Sequence, residues 1–271
     1  MPDLVPGFGA PGGRKAVLGM IHLQPLPGTP FHEEGSFGAA LERAVRSARA
    51  LHEGGADGCL VQTVERVYSV RDESDPARTA AMSLVVNAIV QATGGTFPVG
   101  VQMMRNALKA SLAVAKVAGG SFIRAGALVG ATLSEHGMVT PDPLDVMEYR
   151  NRIGARGIRV VADVHSMHYR WFGGEKAVDE VARHARQAGA DAVALGDPDE
   201  ARTLEMIAAV RRTAPGVPIL LAGYTTHENV ARLLAAADGA FVGTCLERDG
   251  WGGEIDAERV RAYVERVRGI E

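Results

Sequence analysis

Gly189-Ala190-Asp191-Ala192-Val193-Ala194-Leu195 decides the fold of this chain: a small Gly/Ala/Asp cluster closes a helix-like stretch and runs straight into an apolar strand. The same grammar recurs at Gly55-Ala56-Asp57-Gly58-Cys59-Leu60-Val61, at Gly119-Gly120-Ser121-Phe122-Ile123 and at Ala237-Asp238-Gly239-Ala240-Phe241-Val242. Strands of a second flavour alternate with these: Phe97-Pro98-Val99-Gly100-Val101, Gly157-Ile158-Arg159-Val160-Val161-Ala162 and Val217-Pro218-Ile219-Leu220-Leu221. Ala16-Val17-Leu18-Gly19-Met20-Ile21 opens the series. Short apolar strands separated by helical segments mark a parallel sheet covered by helices. Eight such units, at about 30 residues each, predict an α/β fold, a single (β/α)8 TIM barrel. The length of 271 residues suits one such domain. The barrel is assigned to 15–271, behind a loose Pro- and Gly-rich arm over 1–14.

The helices follow from apolar spacing and capping signals. The first is expected over 36–53, with Leu41, Ala44, Val45, Ala48 and Leu51 on one face. Asp75-Pro76 opens the second, which runs to Ala92, and Asp142-Pro143 opens the fourth. The third, fifth and eighth are expected over 106–118, 175–188 and 256–268. Asp197-Pro198-Asp199-Glu200 reads as the start of the sixth, with Asp197 as its cap, and the seventh follows Thr225-Thr226-His227-Glu228. Three strand-to-helix connections are long, His22–Gly35, Ala125–Pro141 and Asp163–Gly174. Loops at the carboxyl ends of barrel strands are where such folds keep their chemistry.

Composition narrows the classes. A formal net charge of −3 gives no electrostatic footprint for nucleic acid. No apolar run is long enough to span a bilayer and no signal peptide is apparent, so the expected compartment is the cytoplasm. Cys59 and Cys245 fall on strands that are not neighbours around a closed barrel, which argues against a disulfide. The four lysines, Lys15, Lys109, Lys116 and Lys176, all lie away from the carboxyl ends of strands, so no lysine is placed for Schiff-base chemistry.

Gly223 and Tyr224 after the seventh strand, and Gly243 and Thr244 after the eighth, form the pattern of a phosphate cradle, in which backbone amides approach an anion closely. The plainer reading is that the glycines only ease tight turns. Asp163 and His165, two apart on the fifth strand, are expected to point together into the barrel mouth as an acid/base pair, with His22, His168 and Glu65 on the same rim. Arg105, Asn106, Arg124, Gln62 and Gln102 are candidate substrate contacts. No cofactor is required by this set. A divalent metal held by His22, Asp163 and His165 is the alternative, although no Cys or Glu cluster supports it.

Met20-Ile21-His22-Leu23-Gln24-Pro25-Leu26-Pro27-Gly28-Thr29-Pro30 resembles the opening motif of the BtpA family. The likeness continues through Arg105-Asn106, Phe122-Ile123-Arg124, Ala162-Asp163-Val164-His165, Glu228-Asn229-Val230, Asp238-Gly239-Ala240-Phe241-Val242-Gly243-Thr244, Asp249-Gly250 and Glu258-Arg259-Val260. The resemblance implies a phosphate-binding type of barrel. The family's named role is support of photosystem I accumulation, and relatives in non-photosynthetic bacteria occur beside sugar-transport and metabolic genes. Relative to the family pattern, Gln62-Thr63 stand in place of Glu-Asn and Gly126 in place of Asn. Met167 and Glu247 each stand where Lys is common, and Ala222-Gly223-Tyr224 replaces a Gly-Ser-Gly-like turn. These departures at the mouth imply a divergent member to which the photosystem role does not transfer.

The leading expectation is a cytosolic enzyme that acts on a small phosphorylated metabolite, a sugar phosphate or nucleotide, by Asp/His acid–base chemistry of the isomerase, lyase or glycosyl-transfer type. The alternatives are a non-catalytic assembly or regulatory factor on a barrel scaffold, and a metal-dependent hydrolase using His22, Asp163 and His165. A homo-oligomer is compatible with the fold.

Overall fold

The computed structural model describes residues 13–270. The arm expected over 1–14 therefore lies, apart from its last two residues, outside the described residues. Eight parallel strands close a barrel: β1 (Ala16–Leu23), β2 (Gly58–Thr63), β3 (Val99–Gln102), β4 (Phe122–Ala125), β7 (Arg159–His165), β8 (Ala192–Leu195), β9 (Ile219–Leu221) and β10 (Gly239–Val242), with β10 pairing back onto β1. Two short antiparallel strands, β5 (Thr132–Ser134) and β6 (Gly137–Val139), form a hairpin inside the long loop after β4. That hairpin was not legible in the sequence, being too short for its alternation to register.

Helices α1 (Phe37–Glu53), α2 (Pro76–Ala92), α3 (Leu108–Ala118), α4 (Pro143–Arg152), α5 (Val178–Gln187), α6 (Glu200–Thr213), α7 (Val230–Leu234) and α8 (Ala257–Arg268) surround the barrel. Asp75 and Asp142 cap α2 and α4 as expected, each accepting a backbone N–H while Pro takes the first turn. The sixth helix begins later than expected, because Asp199 rather than Asp197 caps it. The seventh is little more than one turn. β1 extends two residues further than its apolar run and carries His22 within the strand.

The Gly/Ala/Asp clusters have a mechanical role. Asp57, Asp191 and Asp238 each accept the backbone N–H of a neighbouring strand's start, Val17 at 2.8 Å, Val160 at 2.9 Å and Ile219 at 2.7 Å. Each carboxylate is also neutralised by arginine: Arg268 on Asp57, Arg150 and Arg159 on Asp191, and Arg211 on Asp238. These clamps fix the register at the amino-terminal end of the barrel, the face devoted to stability.

Two apolar layers result. The larger lies between strands and helices. The smaller fills the barrel, with Leu18, Leu60, Phe122, Val161, Leu220 and Phe241 among its members. Gly100 makes this inner layer fit, since a Cβ there would lie 2.2 Å from the Phe122 ring. Two residues on along the same inward faces, the side chains change character: Leu60 is followed by Gln62, Gly100 by Gln102, Phe122 by Arg124, Val161 by Asp163 and Met20 by His22. The core thus ends abruptly in a polar storey at the carboxyl ends of the strands.

Gly100→Ala should overpack the barrel and lower stability by about 1–3 kcal/mol, read as a reduced urea midpoint with an unchanged slope.

Candidate functional site

Above that polar storey opens a cavity of about 730 Å³, a size suited to a small organic ligand. One wall is built by Gly223, Tyr224, Thr225 and Thr226 after β9 and by Gly243, Thr244 and Cys245 after β10. His22, Gln62, Arg124 and His168 line it from other strands, and Trp251, 62% exposed, stands on its rim. A smaller cavity of about 350 Å³ adjoins it, sharing Gln62, Met167, His168 and Trp251, and reaching Glu65, Arg66 and Arg105.

His22 is positioned by a carboxylate. An ionised Glu247 can only accept, so the His22 Nδ1–H donates to its Oε1 at 2.9 Å. Glu247 is 1% exposed, and its second oxygen accepts the Gly252 N–H at 2.8 Å. Gly243 lies against this ring: a Cβ there would be 3.1 Å from His22 Cε1. The glycine is thus explained by a close approach of His22 as well as by any anion.

Arg105 Nη1 can only donate, so its 3.2 Å contact with His168 Nδ1 fixes the proton of His168 on Nε2. Burial, and then the Arg124 charge, push His168 down to about 4, which keeps the ring neutral and able to donate at ordinary pH. Arg124 donates from Nε and Nη2 to the two oxygens of Asp163, at 2.8 and 3.0 Å, and its guanidinium lies 4.8 Å from the Phe241 ring centre. Both residues are buried, and Ser166 adds a 2.6 Å hydrogen bond to Asp163.

Asp163 and His165 are not the pair that their spacing implied. The β7–β8 register shifts between them, a bulge that breaks the alternation on which that expectation rested. Asp163 stays beneath the cavity with Arg124. His165 instead donates from Nε2 to Asp197 Oδ2 at 3.0 Å, outside the residues that line the cavity. Burial lowers the His165 pKa, whereas the hydrogen bond from His165 holds Asp197 below the usual carboxylate range. Asp197 is thus a partner of His165 and not the cap of α6.

Glu65 is bound bidentately by Arg78, at 2.8 Å to each oxygen, and burial raises its pKa against that cation. Asn106 is spent on a two-way clamp with the Ala127 backbone, at 2.9 Å in each direction, joining the loops after β3 and β4. Gln102 is 1% exposed, and neither end of its amide has a hydrogen-bond partner. Gly223, at φ +103°, and Tyr224, at φ +59°, take the left-handed turn at the cradle wall; for tyrosine that conformation is uncommon.

Among the described residues no group of three or more His, Cys, Asp or Glu is arranged to hold a metal ion. His22, Asp163 and His165 each have a different partner, Glu247, Arg124 and Asp197. Both cysteines are free thiols, and no described helix is long and apolar enough to cross a membrane.

Sequence reasoning missed Glu247 and Asp197 as partners of the two histidines, and Trp251 as a rim residue. Both carboxylates lie far along the chain from the imidazoles they meet. For Glu247 the available signal was an acidic residue just beyond the apolar end of the eighth strand.

The family model described as "BtpA family" matches residues 13–269. Over 257 residues the chain is 31% identical to the photosystem I biogenesis protein BtpA of Synechocystis sp., covering 93% of this chain and 87% of that protein. An uncharacterized protein of Thermococcus kodakarensis is 32% identical over 260 residues, covering 94% and 96%. Among solved structures, "Native KDPGal structure" matches with a TM-score of 0.60 at 17% identity, covering 94% of this chain and 95% of that one, a likeness of fold alone.

The His168 shift carries a pH signature. The unfolded chain protonates this ring near 6.5 and the folded one near 4, so its contribution is intact above about pH 6.5 and is lost as pH falls towards 4. The loss should reach about 2–3 kcal/mol. His165 adds in the same direction. In His168→Gln the acid limb of stability against pH, followed by denaturant unfolding, should flatten.

Proposed function

The chain belongs to the BtpA family, and from that premise we propose that it is an enzyme acting on a small phosphorylated metabolite by acid–base chemistry of the isomerase or lyase type. The observation that carries the reading is the mouth cavity, lined both by turn and glycine backbone after β9 and β10 and by two imidazoles, His22 and His168, each with a fixed hydrogen-bond partner. The phosphate sits against Gly223–Thr225 and Gly243–Thr244, where main-chain N–H groups supply the donors, while the Thr226 N–H is taken by Asn229 Oδ1 at 2.7 Å. Nε2 of His22 removes a proton from the reacting carbon or hydroxyl, and Glu247 stabilises the imidazolium that forms. The neutral Nε2–H of His168 donates to the oxygen on which negative charge develops. Arg124, locked by Asp163, presents its remaining face to the substrate. Asp163 is therefore a positioning residue in this scheme. The proposed compartment is the cytoplasm.

A second reading, an assembly factor on a barrel scaffold, draws on apolar side chains exposed on mouth loops, Phe31, Leu133, Phe172 and Trp251, and on the name of the Synechocystis relative. The groups around His22 and His168 favour the enzyme, because a docking surface has no use for paired imidazoles within a cavity.

A thermal-shift comparison of metabolites with and without their phosphate tests the proposal. A ligand at about a hundred times its Kd adds roughly 2.7 kcal/mol, and only the phosphorylated member of a pair should do so. Thr244→Glu, at an exposed wall position, should abolish that response without altering the ligand-free Tm. Response to the unphosphorylated member alone would overturn the assignment. With the stabilising ligand as substrate, His22→Gln should cut turnover by about 10²–10⁴-fold while the thermal shift persists.

A further inference from the structure

The charges of the cavity restrict what it can hold beyond a phosphate. Among the described residues lining the larger cavity, Arg124 is the one lysine or arginine, and none is an aspartate or glutamate. Arg124 is already neutralised by the two oxygens of Asp163. His22 has its own carboxylate in Glu247. No cation is left over there to balance an anionic group on the substrate, and burying an unbalanced carboxylate is strongly unfavourable. Backbone amides at the β9 and β10 loops are the remaining positive element, and they form one wall.

The floor offers neutral hydrogen-bonding groups. Gln62 lines both the larger and the adjoining cavity, whereas Gln102, its register partner on the adjacent strand, shares the inward face but lines neither. Gln102 is buried, with both its amide oxygen and its amide nitrogen unpartnered. An amide presents a donor and an acceptor together, which matches a hydroxyl or a carbonyl–hydroxyl pair and not a carboxylate, which accepts only. Arg66, which makes a cation–π contact with Phe31, belongs to the adjoining cavity.

We propose that the mouth cavity selects a monophosphate whose remainder is uncharged and bears hydroxyl or carbonyl groups, a neutral sugar phosphate, with Gln62 as the specificity-determining residue. The proposal rests on the phosphate reading of the same site. It excludes phosphorylated sugar acids, which differ from their neutral counterparts by a carboxylate at the far end, and it excludes bisphosphates.

Titration of the purified chain with glucose 6-phosphate, 6-phosphogluconate, ribose 5-phosphate, 5-phosphoribonate and inorganic phosphate, followed by thermal shift and calorimetry, tests it. Each neutral sugar phosphate should bind at least about tenfold more tightly than its acid, a difference of about 1.4 kcal/mol. Gln62→Met replaces the lining amide with an apolar side chain of similar size, so the ligand-free Tm should hold or rise. The same variant should lose about tenfold in affinity for the neutral sugar phosphates and keep its response to inorganic phosphate. Equal or tighter binding of the acids, with inorganic phosphate still bound, overturns this proposal and leaves the phosphate reading standing. Unchanged discrimination in Gln62→Met also overturns it. No response to any of the five probes, inorganic phosphate included, overturns the phosphate reading and this proposal with it.

Discussion

One buried ion pair, Arg124 on Asp163, governs the upper half of this barrel. Two charges taken out of water are costly unless their geometry is good and their spare valences are filled. Here the contact is bidentate, Ser166 takes a further valence of the carboxylate, and Phe241 receives the face of the guanidinium. The pair caps the apolar interior and serves as floor to the cavity. The strand bulges directly after Asp163, and this displaced register turns His165 away towards Asp197. Removal of Asp163 would leave an uncompensated arginine between the core and the ligand space.

The same economy of charge runs through the whole mouth. Glu65 is held by Arg78, His165 by Asp197 and His22 by Glu247. A site whose charged groups each hold a fixed partner recognises its ligand through shape and oriented dipoles. His168 extends the pattern by a different route. Its ring is kept uncharged by burial and by neighbouring arginines, so it acts as a hydrogen-bond donor and not as a cation.

The fold was legible because its signals are local. Asp191 and its counterparts Asp57 and Asp238 close three of the four cluster turns by accepting an N–H from an adjacent strand, and Ser121 stands at that place in the fourth. The placing of His22, Gln62 and Arg124 was legible for a related reason: each is two residues beyond an inward apolar side chain, and a strand's alternation carries it to the mouth. That rule failed at His165, because a bulge is a tertiary adjustment that leaves no mark in the spacing. Glu247 and Asn106 were misjudged for another reason. One carboxylate finds its imidazole 225 positions away, and one amide is consumed by a loop backbone, and neither partnership is encoded nearby. The hairpin of β5 and β6 was too short to show a period at all.

Glu247 joins two things usually described apart. One of its oxygens receives the proton-bearing nitrogen of His22, and the other receives the main chain of Gly252, next to Trp251 on the rim. The orientation of the ring and the posture of the rim loop are therefore two readings of a single carboxylate's position. A molecule that presses on Trp251 also bears on the carboxylate that orients His22. Occupancy of the entrance and the orientation of this imidazole are in this way linked by one side chain, without any moving domain.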